Sequence, residues 1–211
     1  ATVVNDTLLD FANSTVRGAL SATATTGNIT QGGALNILGA TTLVTTSQGA
    51  TIDLTTTTNA FTGELLITTN DNNTPADGTY AAHASIDGGT TNLIIGTSTI
   101  DGNLTLLSGG TITDTASSTV TVKGDLNATT DANNSNITLD GLEVGGAYIL
   151  DPHGTGIVTI VNAAGIDFVA MTVDGALSAT ATTGNITQSG ALTITGTTTL
   201  VTSADNATIT L

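Results

Sequence analysis

The side chains best suited to ligand chemistry are two tyrosines and two histidines, which fall in two short segments. Tyr80 and His83 lie in TYAAH, and Tyr148 and His153 lie in YILDPH. Aromatic rings and imidazoles can pack on and hydrogen-bond to a polar ligand such as a carbohydrate. If the fold brings the segments to one face, we expect these four residues to contact a ligand. The alternative is that both histidines are ordinary surface side chains.

A second candidate is the oxygen-rich segment NDNNTPADG at 70–78. Carboxylate and amide oxygens are the ligands that Ca²⁺ prefers, so Asp71, Asn73 and Asp77 are the candidate calcium ligands. The segment lacks the residue order of an EF-hand and its closing glutamate. Asn and Asp also form turns, so a plain turn is the alternative. No other cofactor is expected.

Catalytic residues are not predicted. Glycoside hydrolysis needs two carboxylates at a defined spacing, and no such pair stands out. The two basic residues, Arg17 and Lys123, are replaced by Asp174 and Thr197 where the sequence repeats itself. The chain has no cysteine, which excludes disulfides and thiolate catalysis. We therefore expect a protein that is not an enzyme.

The charge balance excludes several partners. Seventeen acidic residues against two basic ones give a formal net charge of −15. Nucleic acid and anionic lipid both require clustered Lys and Arg, so neither is expected as a partner. No apolar run reaches the ~20 residues needed to span a membrane, and membrane insertion is not expected. The composition suits a secreted chain that must stay soluble while it exposes much β-structure.

A long internal repeat organises the chain. Residues 18–54 match residues 175–211 at 28 of 37 positions, and the wider correspondence places 1–54 on 158–211. Residues 99–130 also align with 172–204, so the long period contains two related halves. We interpret 1–211 as one continuous segment, slightly longer than one period.

The elements that must position these residues are short strands. Apolar residues alternate over three to six positions, as in LNI at 35–37 and IDL at 52–54, and Gly or Asn closes each run. Gly and Asn at such corners also tolerate positive φ. Two segments interrupt the pattern and predict excursions, near 68–90 and 148–156.

Strand-sized units that recur in a motif of roughly constant length predict an all-β solenoid. A unit of this size cannot bury its apolar side alone, whereas stacked copies can. The expected structure is a parallel β-helix of about ten coils, with Val, Ile, Leu and Ala inside and threonine rows outside. Antiparallel β-sandwich repeats are the alternative, since they also consist of short strands and polar turns.

The amino-acid sequences of the repeats resemble those of a known family. GNLTLLSGGTITD, GALTITGTTTLVTS and ATIDLTTTTNAFTGELLIT are similar to repeat regions of filamentous-haemagglutinin-type adhesins, which bacteria export by two-partner secretion. The resemblance covers about 15–67 and 93–211. It implies a right-handed parallel β-helix in a secreted, extracellular fibre or biofilm matrix at the bacterial cell surface, acting in cell attachment or aggregation. The partners expected are copies of the chain along the fibre axis and cell-surface glycans or neighbouring cells. A carbohydrate-binding or carbohydrate-active β-helix is the alternative.

Overall fold

The computed structural model describes residues 1–72 and 80–211. The described residues contain strands, turns and no helix. In chain order the 27 strands are β1 Thr2–Asn5, β2 Leu9–Phe11, β3 Ser14–Val16, β4 Leu20–Ala24, β5 Ile29–Gln31, β6 Leu35–Ile37, β7 Thr41–Gln48, β8 Ile52–Leu54, β9 Ala60–Phe61, β10 Leu65–Asn70, β11 Ala84–Asp87, β12 Leu93–Ile95, β13 Ser98–Ile100, β14 Leu104–Ser108, β15 Ile112–Asp114, β16 Val120–Val122, β17 Leu126–Thr130, β18 Ile137–Val144, β19 Ala147–Asp151, β20 Val158–Asn162, β21 Ile166–Phe168, β22 Met171–Val173, β23 Leu177–Ala181, β24 Ile186–Gln188, β25 Leu192–Ile194, β26 Thr198–Thr202 and β27 Ile209–Thr210.

Two long parallel sheets run the length of the molecule. Sheet A has the order β1-β4-β7-β10-β12-β15-β18-β20-β23-β26, with β13 and β16 attached beside it, and sheet B has the order β2-β5-β8-β11-β14-β17-β19-β21-β24-β27. Two short sheets, β3-β6-β9 and β22-β25, hold the third strand of the coils near each end. The chain alternates between sheets A and B, so it winds into ten coils.

Every pairing between named strands in the described residues is parallel. A strand pairs with the strand one coil later, as Leu20 lies opposite Thr41 and Leu177 opposite Thr198. The two pairs are separated by the same length of chain, as a regular coil requires. The β-solenoid of about ten coils is therefore confirmed, and the antiparallel sandwich is wrong.

The core is one continuous stack of aliphatic side chains. Alternation along each strand places Leu20, Ala22 and Ala24 of β4 inside and Ser21 and Thr23 towards solvent. Small and branched side chains suit an interior whose layers are only ~4.8 Å apart. The buried aromatic side chains of the described residues are exceptions to this aliphatic composition. Two of them, Tyr148 and Phe168, pack edge to face with ring centroids 6.2 Å apart.

Most corner glycines are not required for positive φ, which is the reason that the sequence suggested. Among the described glycines, only Gly49, Gly89 and Gly154 have positive φ. At most other corners the backbone of one coil lies directly on the next, and a Cβ on Gly39 would lie 2.7 Å from the carbonyl carbon of Gly18. These corners exclude Cβ atoms by close approach between coils rather than by dihedral angle.

Candidate ligand groove

The one long interruption of the coil in the described structure lies between β10 and β11. Ile52 and Ala84 lie opposite one another, although the chain between them is much longer than the chain between Ala84 and its next partner, Leu104. The extra length falls at the corner where the chain turns from sheet A to sheet B, which we call the A–B corner. The predicted excursion near 68–90 falls partly on residues 73–79, which lie outside the described residues; on either side of them, β10 ends at Asn70 and β11 begins at Ala84.

The base of the excursion is closed by buried polar contacts. The Thr69 hydroxyl donates to the Ala82 carbonyl over 2.7 Å, and the backbone N–H of Ala81 donates to Asp71 Oδ2 over 2.9 Å. The Asp71 N–H in turn donates to Asp101 Oδ2, one coil later, over 2.9 Å. These contacts fix the position at which the chain returns to the scaffold and presents Tyr80.

Lys123 connects the excursion to the next coils. Its Nζ lies 2.9 Å from Asp101 Oδ1 and 5.8 Å from the centre of the Tyr80 ring, and it donates to the Asp71 carbonyl over 3.4 Å. The Lys123 side chain is 40 % exposed and that of Asp101 is 10 % exposed. A cation over a tyrosine face is attracted by the ring quadrupole, so Lys123 helps to hold Tyr80 against the corner.

Successive residues at the A–B corner form a ladder of side-chain acceptors. His83 Nδ1 accepts from the Asn103 N–H over 2.8 Å, Asn103 Oδ1 from the Asp125 N–H over 2.9 Å, and Asp125 Oδ1 from the Ala147 N–H over 2.8 Å. Each bond satisfies a backbone donor one coil later. Because Nδ1 accepts, the neutral His83 ring carries its proton on Nε2.

These elements enclose a groove of about 550 Å³. Its lining residues are Tyr80, His83, Asn103, Lys123, Gly124, Asp125, Gly145 and Gly146. The glycines form a floor of bare backbone, since a Cβ on Gly146 would lie 2.5 Å from the carbonyl carbon of Gly124. The walls carry one aromatic ring and four polar side chains. We call this site the corner groove.

The structure brings together two of the four predicted contact residues. Tyr80 and His83 line the corner groove. Tyr148 lies on β19, where alternation points its side chain inward, and it is fully buried. His153 lies in the turn after β19 and holds the neighbouring coil through backbone atoms, as its N–H donates to Thr130 Oγ1 over 3.0 Å. Much of the predicted excursion at 148–156 is thus regular strand, and the four residues do not form one surface.

The calcium site stays a prediction. Asp71 is buried and its carboxylate accepts the Ala81 N–H, while Asn73 and Asp77 lie outside the described residues. In the parts of the chain that the structure describes, no three His, Cys, Asp or Glu side chains come together in a way that could hold a metal ion.

Sequence reasoning missed Lys123, Asn103 and Asp125 as groove residues. Lys123 gives no functional prediction from the sequence because Thr197 replaces it in the repeat. The available signal was that Lys123 is one of only two basic residues in the chain. A basic residue in so acidic a sequence is expected to lie close to several carboxylates, because opposite charges attract.

A comparison with known protein families identifies the family of this chain. A family model described as repeats of unknown function (DUF5649) matches residues 1–68, 81–150 and 155–211. The chain belongs to the DUF5649 repeat family. No curated protein and no solved structure matches it significantly. The family description assigns no activity, and the resemblance to filamentous-haemagglutinin-type adhesins is not confirmed by it.

The three DUF5649 stretches do not occupy the same faces of the solenoid. The first and third begin with strands of sheet A, β1 and β20, whereas the second begins with β11 of sheet B. In the sequence alignment Leu104 corresponds to Leu177, yet β14 lies in sheet B and β23 in sheet A. One DUF5649 unit therefore spans about three and a half coils. Two units together span seven coils, so the third stretch begins in sheet A again, as the first does. Seven coils correspond to the long period of the sequence.

No helix long and apolar enough to cross a membrane occurs in residues 1–72 and 80–211.

Proposed function

We propose that this DUF5649 chain is a structural segment of a secreted bacterial adhesin or extracellular fibre, in which further coils of the same type stack along the axis. The chain is a repeat protein with a β-solenoid fold, and a parallel stack resists extension because each coil is held to its neighbours by backbone hydrogen bonds. Such a rod holds cells or surface groups at a distance and mediates attachment or aggregation.

The observation that carries the stacking proposal is that the second copy of the long repeat continues the same stack as the first. β20 and β21 of the second copy lie in sheets A and B, as their equivalents β1 and β2 of the first copy do. Residues 158–211 therefore extend the solenoid on the same faces as residues 1–54, and further copies of the period can be added along the axis in the same way.

Localisation is part of the proposal. The net charge of −15 and the absence of cysteine suit a soluble extracellular chain whose stability depends on its fold. The adhesin assignment is supported by the similarity of the repeat sequences to those of filamentous-haemagglutinin-type adhesins. Antibodies against the chain should label the outside of intact cells of the source organism, and labelling confined to the cytoplasm would contradict the assignment.

Stacking is tested by a chain in which residues 1–157 precede the full sequence. This junction reproduces the native step from residue 157 to residue 158. We expect one uniform rod that is longer by seven coils, about 34 Å at ~4.8 Å per coil, in small-angle X-ray scattering. A matched control places residues 1–130 before the full chain, which joins coils out of phase. Two bodies linked by a hinge in the in-phase chain would contradict the proposal.

A further inference from the structure

We propose that the corner groove binds a neutral saccharide. This inference concerns a lateral site on the solenoid and does not depend on whether copies stack along the axis. It rests on the polar atoms that the scaffold leaves open, on the local charge and on the placement of Tyr80.

The corner ladder uses one polar atom of each side chain and leaves the other available. His83 accepts at Nδ1 and keeps its Nε2–H, Asn103 accepts at Oδ1 and keeps its amide N–H groups, and Asp125 accepts at Oδ1 and keeps Oδ2. Within the described residues none of these remaining atoms has a hydrogen-bond partner. The groove thus offers donors and an acceptor side by side. A sugar hydroxyl both donates and accepts, so a pair of vicinal hydroxyls matches this arrangement.

Tyr80 supplies the apolar part of the site. It is half-buried on one wall of the groove, and its ring is held by Lys123 at 5.8 Å. Three other large aromatic side chains, Phe61, Tyr148 and Phe168, are fully buried in the core of the described structure. A sugar ring has an apolar C–H face, and a tyrosine fixed at a groove wall suits packing against it.

The charge around the groove favours a neutral ligand over an acidic one. Lys123 is the cation of the groove, and it is already paired with Asp101 over 2.9 Å. Asp125 adds a carboxylate to the lining, and the whole chain carries −15. A uronate or sialate would meet net repulsion, whereas an uncharged sugar would meet none.

The glycine floor lets a flat ring approach the backbone closely. Gly124, Gly145 and Gly146 come from two consecutive coils and place no side chain in the groove. A volume of about 550 Å³ has room for a short oligosaccharide rather than a single small ion. Shape therefore agrees with the polar and aromatic lining.

The experiment uses the full chain and a printed panel of neutral oligosaccharides of glucose, galactose, mannose and N-acetylglucosamine. Oligogalacturonate, heparin fragments and sialyllactose serve as acidic probes. We expect binding of at least one neutral oligosaccharide and no comparable binding of the acidic probes. Binding is then measured by titration calorimetry for the best neutral probe.

Three variants test the location without disturbing the scaffold. Tyr80→Ala removes the ring, His83→Asn removes the Nε2–H, and Asp125→Asn changes the open acceptor into a donor. His83→Asn and Asp125→Asn retain an Oδ1 acceptor, as Asn28 does for the Thr51 N–H at the same corner. We expect each variant to weaken binding at least tenfold while its unfolding temperature stays close to that of the parent. His153→Asn is the matched control and should leave affinity unchanged.

The proposal is overturned if no neutral oligosaccharide binds, if acidic probes bind more tightly, or if folded Tyr80→Ala and His83→Asn proteins bind as the parent does. A loss of binding in His153→Asn equal to that in His83→Asn would also overturn it.

Discussion

At the residue scale, asparagine is the side chain that ties one coil to the next. Asn28 and Asn185 are repeat equivalents, and each accepts a backbone N–H of the following coil over 2.9 Å. Asn103 and Asn136 do the same for the N–H groups of Asp125 and Ile157. Strand-start asparagines thus replace backbone partners that a corner cannot supply.

The fully buried Asn162 is expected to contribute strongly to stability. Replacing it by Ala leaves the Val144 N–H and the Gly165 carbonyl without their partner. We expect Asn162→Ala to lower the free energy of unfolding by about 3 kcal/mol in urea titration, because unsatisfied buried polar groups cost about 1–3 kcal/mol each.

Asn5→Ala is the repeat-equivalent control. Asn5 is half-buried and bonds only the Leu8 carbonyl among these partners, so a loss of about 1 kcal/mol or less is expected. Equal losses in the two variants would show that the contact between coils is not what stabilises Asn162.

Asp87 gives the stability a specific pH dependence. Burial raises the pKa of its carboxyl, the N–H of Gly89 opposes this from 2.7 Å, and the nearby charge of Asp131 adds to the rise. A raised pKa means that the folded chain holds this proton more tightly than the unfolded chain does. The Asp87 contribution therefore favours folding at low pH and is lost as the pH rises through its raised pKa.

Asp87→Asn keeps the acceptor for the Gly89 N–H and removes the charge. We expect the variant to unfold at a higher temperature than the parent at neutral pH, with a difference that shrinks on acidification. Thermal unfolding of both proteins from neutral to acidic pH measures it, and Asp205→Asn, at an exposed position, is the control. A difference that grows on acidification would reverse the argument.

At the element scale, the same strand sequence is used on two different sheets. β14 and β23 carry corresponding residues, and both bury alternate side chains in the pattern buried, half-buried, buried. Sheets A and B therefore make equivalent demands on a strand: inward apolar residues every second position and a small residue at the preceding corner. This equivalence lets a unit of about three and a half coils repeat without breaking the stack.

The corner glycines give a direct test of the stacking. A Cβ on Gly175 would collide with the Gly156 carbonyl oxygen, whereas a Cβ on its repeat equivalent Gly18 would have no atom within 4 Å. We expect Gly175→Ala to lower the free energy of unfolding by about 2 kcal/mol or more through displacement of the backbone. Gly18→Ala should be neutral or stabilising by up to about 1 kcal/mol. Urea unfolding of the two variants compares them, and similar costs would contradict close contact at this corner.

At the scale of the whole molecule, stability is distributed along one axis. Each coil contacts the coils before and after it, so the described structure has no central element on which all others depend. The terminal side chains Ile209 and Leu211 are exposed, while their repeat equivalents Ile52 and Leu54 are covered by the next coil. Removal of one end should therefore leave the rest intact.

A chain that ends at residue 195 tests this expectation. Deleting 196–211 removes β26 and β27 and exposes β23 and β24, which take over as the terminal strands. We expect circular dichroism of the same β type per residue and a small decrease in the urea midpoint. Global unfolding of the shortened chain would contradict the nearest-neighbour description. A deletion of equal length inside the stack is shorter than one coil and puts the flanking coils out of phase, so it should be far more damaging.

The parallel solenoid, its number of coils and its long internal period all follow from residue patterns that are local in the chain. Alternation in LNI and IDL, closure by Gly and Asn, and nested repeats all express the same local requirement of one apolar side per strand. That requirement involves only residues that are close together in the chain, so the strands and the solenoid can be predicted from the local sequence pattern.

The side-chain contacts at the corners could not be predicted in this way, because they join residues of different coils. Lys123 reaches Asp101 and Asp71 because coils of different length bring these positions together, and Tyr148 turns inward because β19 continues a regular sheet. The length of chain between opposite positions differs from coil to coil and is much greater between β8 and β11 than between β20 and β23. A contact between coils depends on that length, which is set by the packing of each turn on the one below and not by the local pattern of the strand.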